Sequence, residues 1–357
     1  MFEQQANMAV RQIVSLTGVR FVAAFWVVMF HIQGELTKLI PGITPLKPLF
    51  DQGHFAVPFF FILSGYILSH TYFGQYKFRD HPRFILNRVA RIWPVHFATL
   101  MLLIVYVIAA KQMDIHIDMG NYDFSMIIAE LFMLRGWTSD LLLWNYPAWS
   151  IHAEFFAYLF IFPLCHILFG LRWNISMLIS IPFLLLAVHG LDWHNGLQGC
   201  IFDIMLPFIA GSGIYALKRT KSTSHASFAT YIAVGGIFFA LSNNHFYSKS
   251  LLFVCFGLLI YGLSHEQGKI HNMLRNKYIC YGGKVSYSLY MTHGLVHILY
   301  FFIYPQLPLT NMYIKYLAAI LFVAAIAVIA IGFYHLVEEP SHRQLKPSRR
   351  HLNGKSP

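Results

Sequence analysis

Apolar runs recur from one end of this chain to the other, separated by short polar stretches that carry most of its charge. A helix needs about 20 largely apolar residues to cross the hydrocarbon of a bilayer. Ten runs read as crossings: residues 13–33, 54–72, 93–110, 148–169, 173–189, 199–217, 228–241, 250–264, 285–304 and 313–337. Only 11% of the 357 residues are charged, against about 25% in an ordinary soluble domain. That is too little charge to solvate the surface of a soluble enzyme, and it also excludes a disordered chain or a small disulfide scaffold. The first run has no short apolar core with a small-residue cleavage site, so it reads as a retained helix rather than a signal peptide. The expected fold is an all-α, polytopic membrane helix bundle of about ten transmembrane helices.

One further apolar stretch, 124–134, is too short to span. Charge decides how it lies. With this stretch not crossing and the N-terminus inside, 20 of the 26 Lys and Arg fall on the cytoplasmic side. If it crossed, Lys218–Lys221 and the basic C-terminal tail would face outward, against the positive-inside rule. The stretch therefore reads as a re-entrant or interfacial segment on the outer side, and both termini as cytoplasmic. Residues 1–340 form one transmembrane domain and 341–357 a basic cytoplasmic tail. The net charge of +11 follows from this loop pattern and implies no nucleic-acid partner. The four cysteines make no CxxC pair, and the 19 histidines show no metal-ligand spacing such as HExxH, so no metal is expected.

Ionisable groups inside apolar spans are costly and mark function or pairing. Arg20 and His31 share the first span, eleven residues or about 16 Å apart along a helix, with Arg20 near the inner face. Arg20 alone also fits a side chain that snorkels to the headgroups, and a lone His on an apolar helix is more often hydrogen-bonded filler. Arg88 and Arg91 are three apart on one helix face at the cytoplasmic mouth of the third span. Paired guanidiniums suit a phosphate-rich ligand, because Arg binds phosphate through two parallel hydrogen bonds; taken alone, though, simple positive-inside anchoring is the better explanation. Glu154 opens the fourth span from its outer side without a basic neighbour in sequence. His31 is a candidate partner, since a carboxylate beside an imidazole holds its tautomer and raises its basicity, as a general base requires. Trp144, Tyr146 and Trp149, with Trp137, read either as a platform for sugar rings or as the aromatic belt of the outer interface. Gly282-Gly283 reads as a loop, and Glu338-Glu339 as the end of the last helix ahead of Pro340. Asp203 is a further acidic residue in an apolar span, without an assigned role.

Six segments together resemble the acyltransferase-3 family of integral membrane acyltransferases. They begin at Ser15 (SLTGVRFVAAFWVVMFH), Phe59 (FFFILSGYILS), Arg83 (RFILNRVARIWP), Pro147 (PAWSIHAEFFAY), Ser286 (SYSLYMTH) and His335 (HLVEEP), in the family's order and across essentially the whole chain. Thr17, where many members carry Asp, and His152-Ala153 and Ala157 depart from the pattern without removing a presumed catalytic group. The resemblance implies an O-acyltransferase of a bacterial inner membrane that moves an acyl group, usually acetyl, from cytoplasmic acetyl-CoA or another acyl-CoA. The implied acceptor is a hydroxyl of a cell-envelope or exported glycan, or a lipid-linked sugar, with glycan-assembly proteins as candidate partners. It carries His31 and Glu154 as catalytic groups and Arg20, Arg88 and Arg91 as binders of the donor. An acyl-imidazole on His31 is the alternative to direct transfer. Two rivals remain: a secondary transporter that uses the intramembrane His, Arg and Glu as a relay, and a structural partner in glycan assembly.

Overall fold

The protein is described by a computed structural model over residues 12–73, 75–115, 122–137, 144–170, 197–218, 226–243, 246–307 and 311–345. Every regular element among them is helical. The principal helices are α1 (Val14–Leu39), α2 (Ala56–Tyr72), α3 (His81–Gln112), α4 (Trp149–Phe156), α5 (Phe162–Gly170), α6 (Leu197–Lys218), α7 (Ala226–Ser242), α8 (Phe246–Leu263), α9 (Lys277–Ile303), α10 (Met312–Phe333) and α11 (Glu339–Leu345). Their starts follow local chemistry. The Asn276 side chain accepts a hydrogen bond from the Tyr278 N–H at the head of α9, and Asn311 does the same for Tyr313 ahead of α10. Each satisfies a backbone donor that has no partner within its own helix. Pro82 stands in the first turn of α3, where a missing N–H costs nothing.

Five stretches among the described residues are long and apolar enough to cross a bilayer: Val14–Leu39, Pro41–Tyr72, Phe78–Gln112, Tyr146–Leu168 and Met312–Leu345. Ile204–Lys218, Ala226–Ser242 and Lys249–Leu263 are shorter apolar helices, and α9 adds 27 residues. The run expected at 173–189 lies outside the described residues, as do residues 346–357 of the basic tail and the Asp203 side chain. The 124–134 stretch holds one turn of 3-10 helix (Phe124–Met126) and a five-residue α-helix, Ile127–Leu131, far short of the bilayer's thickness.

Lipid tails are as apolar as the helices, so close backbone approach and tight packing hold such a bundle together rather than the hydrophobic effect. At the α2–α6 contact a Cβ on Gly65 would strike the Phe208 carbonyl, and one on Gly211 would strike that of Ile62. The two missing side chains let the backbones touch. Gly283 performs the same service between α9 and the Thr17 carbonyl of α1. Gly282-Gly283 thus lies inside α9 rather than in a loop; the Asn276 cap starts the helix earlier, and Gly283 is required for contact. The last helix also differs from expectation. It does not stop at Glu338-Glu339 but passes through a π-helical turn, Tyr334–Glu338, into α11. Pro340 falls in the first turn of α11, where proline is tolerated.

Candidate active site

Arg20 of α1 and Arg88 and Arg91 of α3 line one cavity of about 660 Å³. Its lining also includes Gln12, Asp80, Arg83 and His342, and continues to Ser150 of α4 and Tyr290 of α9. The three-residue spacing of Arg88 and Arg91 puts both on the same face of α3. Arg88 is boxed by aromatic rings, its guanidinium carbon 5.7 Å from the centroid of Tyr72, 5.9 Å from Phe84 and 6.0 Å from Tyr158. Its Nη2 donates to the Tyr72 hydroxyl at 3.3 Å, while its buried Nε has no partner. Ring faces fix the guanidinium plane without consuming its donors.

Two carboxylates stand among these cations. Glu154 Oε1 accepts from Ser64 Oγ at 2.8 Å and from the Tyr158 hydroxyl at 2.6 Å. Glu338, 5% exposed, accepts from Ser288 Oγ at 2.6 Å. Arg20 meets Glu338 and Glu154 through charge at longer range and is repelled by Arg91; Arg91 likewise faces Glu338. With Arg83 and Asp80 included, the lining holds four arginines against the carboxylates of Asp80 and Glu154, so even with Glu338 close by the site keeps a net positive charge, suited to an anionic ligand. Tyr158 and Glu338 both sit on π-helical turns, Ala157–Ile161 and Tyr334–Glu338. Such turns rotate side chains off the regular helical register and concentrate at functional sites. Glu338 is the site residue that sequence reading missed. The HLVEEP segment contained it, but only the π turn aims it inward.

His31 lies outside the cavity lining. Its Nδ1 is 3.0 Å from the Val27 carbonyl and 3.3 Å from Nε2 of His293. The expected contact between His31 and Glu154 is not formed. The reason is axial: α4 enters from the level of Tyr146, whose ring packs on His31, and Glu154 comes eight residues later. That is about 12 Å further along the helix, among the arginines. Between the two groups, Ser150 Oγ and the Tyr290 hydroxyl share a hydrogen bond of 2.8 Å, and the Tyr290 ring centroid is 5.8 Å from that of His293. His293 is fully buried.

The three aromatic candidates separate. Tyr146 stacks at 4.8 Å from His31. Trp149 is half-buried and packs against the main core. Trp144 is not an open platform: it is 2% exposed, lies edge-on to Tyr122 and Phe124, and donates its indole N–H to the Asp123 carbonyl at 3.1 Å.

Glu130 anchors the short 124–134 segment. Its Oε1 accepts from the Trp144 N–H at 3.0 Å and from Arg135 at 3.3 Å. Its carbonyl meets His96 Nε2 of α3 at 2.8 Å, and His152 of α4 lies 3.6 Å from its other oxygen. Burial pushes this carboxyl up to about 7, against the opposing pull of the Trp144 N–H and Arg135. Among the described residues no group of three or more His, Cys, Asp or Glu is placed to hold a metal ion.

An arginine-lined cavity, open at its rim, thus lies inside an apolar helical bundle. Residues 13–334 match the acyltransferase-3 family, described as an acyltransferase domain. The chain belongs to this family. It is similar to the acyltransferase MdmB of Streptomyces mycarofaciens, 29% identical over 157 residues, which covers 42% of this chain and 38% of the relative. It is also similar to protein 2 in the picA locus of Rhizobium radiobacter, 31% identical over 153 residues, 39% of this chain and 75% of the relative. The match thus spans well under half of the Streptomyces protein. No solved structure matches the chain.

Proposed function

We propose that the protein transfers an acyl group, acetyl in the first instance, from cytoplasmic acyl-CoA to a hydroxyl of a cell-envelope or exported glycan. One observation carries this reading. A single cavity joins three arginines at its inner part to Ser150 and Tyr290, which adjoin the His293–His31 pair. The donor's phosphates are polyanionic, and the guanidiniums at the inner mouth offer paired N–H donors for them. Glu154 and Glu338 offset part of that charge, which lets the donor leave after reaction. The cavity's depth suits an extended thioester arm that brings its carbonyl toward the histidines.

His31 serves as the general base. With its Nδ1–H directed to the Val27 carbonyl, Nε2 holds the free lone pair. The acceptor hydroxyl gives its proton to Nε2 as its oxygen attacks the thioester carbonyl. The C–O bond forms, the C–S bond breaks, and the imidazolium returns the proton to the departing thiolate. Tyr146, packed on His31, forms part of the acceptor's approach. The similarity to an acyltransferase of Streptomyces supports the reaction class. Ten crossings, with both termini in the cytoplasm of a bacterial inner membrane, complete the proposal.

The test is transfer of labelled acetyl from acetyl-CoA into envelope glycan by membranes that contain the wild-type protein or equally abundant His31→Ala. Label with the wild type and its loss with the variant support the reading. Equal label in both removes His31 as the base. No label from either, with acyl donors of several chain lengths supplied, turns the assignment toward another acceptor or toward transport.

A further inference from the structure

Helix α1 carries His31 and Glu35 four residues apart, and α9 carries His293 and His297 four residues apart. Each pair therefore lies on one helix face. The two faces meet rung by rung. His31 Nδ1 is 3.3 Å from His293 Nε2, and one turn further out Glu35 Oε2 is 3.2 Å from His297 Nε2. Tyr146 crosses the ladder: its ring packs 4.8 Å from His31, and its hydroxyl is 3.3 Å from His297 Nδ1. One isolated histidine in a span is unremarkable filler. Four ionisable side chains interlocked across two helices, with a phenol bridging both rungs, are not.

We infer that Glu35, His297 and Tyr146 form a positioning triad that fixes the ring of Tyr146 and the charge state of the His31–His293 pair. The chemistry runs in one direction. The Glu35 carboxylate, 3.2 Å from His297 Nε2, favours the tautomer with its hydrogen on Nε2 and leaves Nδ1 as an acceptor. Nδ1 then accepts from the Tyr146 hydroxyl, which clamps the phenol ring against His31. Glu35 is also the nearest carboxylate on this ladder, the place that sequence reasoning had given to Glu154. The other titratable or charged groups that face the triad are Lys38 and His31 from α1, and Tyr290, His293 and Tyr300 from α9. Helix α10 presents the apolar Phe322 to His297. The consequence for turnover rests on the acyl-transfer reading; the coupling of the side chains does not.

Two measurements on the full-length protein separate these. The first is residue-resolved carbethoxylation of histidines by diethyl pyrocarbonate at mildly alkaline pH, followed by mass spectrometry. Glu35→Gln should raise the rate of His297 modification by roughly threefold or more, because the carboxylate that faces its Nε2 and fixes its tautomer is gone. An unchanged rate overturns the triad. The second is the pH profile of kcat. Glu35→Gln should lower the plateau roughly tenfold to a hundredfold, the cost of a misplaced reacting group, and move the acid limb to lower pH, with KM for the acyl donor unchanged. Superimposed profiles overturn the positioning role. A wild-type protein without transfer activity would defeat the proposed function, while the modification rates would still decide the coupling. If Glu35→Gln fails to accumulate, Tyr146→Phe decides instead, since it removes a single hydroxyl. Faster modification of His297 and a lower kcat support the clamp, and rates equal to wild type overturn it.

Discussion

His293 Nε2 lies 3.3 Å from Nδ1 of His31, across the contact between α9 and α1. The two imidazoles share one polar environment inside an apolar bundle, so neither can be replaced without altering the other. His293→Leu should abolish most acyl transfer while leaving binding of the acyl donor intact, because His293 is absent from the cavity that holds the arginines. The expected loss in kcat is roughly a hundredfold or more, the scale of a disabled general base. Single-turnover rates beside equilibrium binding of a CoA analogue measure the two effects separately.

Arg91 shares a helix face with Arg88 and faces Glu338 by charge alone. Arg91→Lys keeps the charge and removes the planar fork of donors. The loss of one charge-assisted hydrogen bond is about 1.5–3 kcal/mol. KM for acyl-CoA should therefore rise by roughly tenfold to a hundredfold with little change in kcat. Initial rates across donor concentration give both constants.

Glu130 is 1% exposed, and burial holds its carboxyl near 7 rather than at its ordinary value of 4.5. A carboxyl whose folded pKa is raised binds more protons in the native state than in the unfolded chain. Its contribution to stability is complete below the unfolded pKa and is lost as pH climbs through the folded one. Thermal unfolding in detergent should therefore show stability that falls as pH rises from about 4.5 to 7. Glu130→Gln should flatten that part of the profile; a wild-type slope in the variant would remove Glu130 as its source.

A Cβ on Gly283 would run into the backbone carbonyl of Thr17, beside the Phe21 ring that already crowds Gly282. Backbone cannot swing aside as a side-chain tip does. Gly283→Ala should force α9 away from α1, lower the unfolding temperature and disturb the His31–His293 register together. Gly34→Ala, inside α1 where nothing lies within 4 Å of the added Cβ, is the matched control and should melt at or slightly above the wild type, as Ala is the better helix former.

The arginines, His31 and Glu154 were legible in the sequence because ionisable groups are conspicuous against apolar spans. Their pairing was not. Glu154 was matched to His31 by chemical type, but the rise along α4 carries it to the arginines, where Ser64 and Tyr158 take its hydrogen bonds. Glu338 read as a helix end because Pro340 follows it, and a π turn is invisible to a pattern of hydrophobic periodicity. Trp144 read as a sugar platform or an interface aromatic, and the packing of Tyr122 and Phe124 around it buries it instead.

The sequence by itself determined that the chain is a helical membrane protein of the acyltransferase-3 type. Apolar run length and sparse charge leave the backbone no other way to satisfy its hydrogen bonds in lipid. It also determined that Arg88 and Arg91 act on one face, since three-residue spacing along a helix is fixed by geometry. Only the tertiary structure decided which side chains meet across helices: His31 with His293, Glu35 with His297, Glu154 with Ser64 and Tyr158. Those contacts depend on the axial offset and rotation of one helix against another. Glycine contacts and π turns set both, through close packing that no single segment encodes.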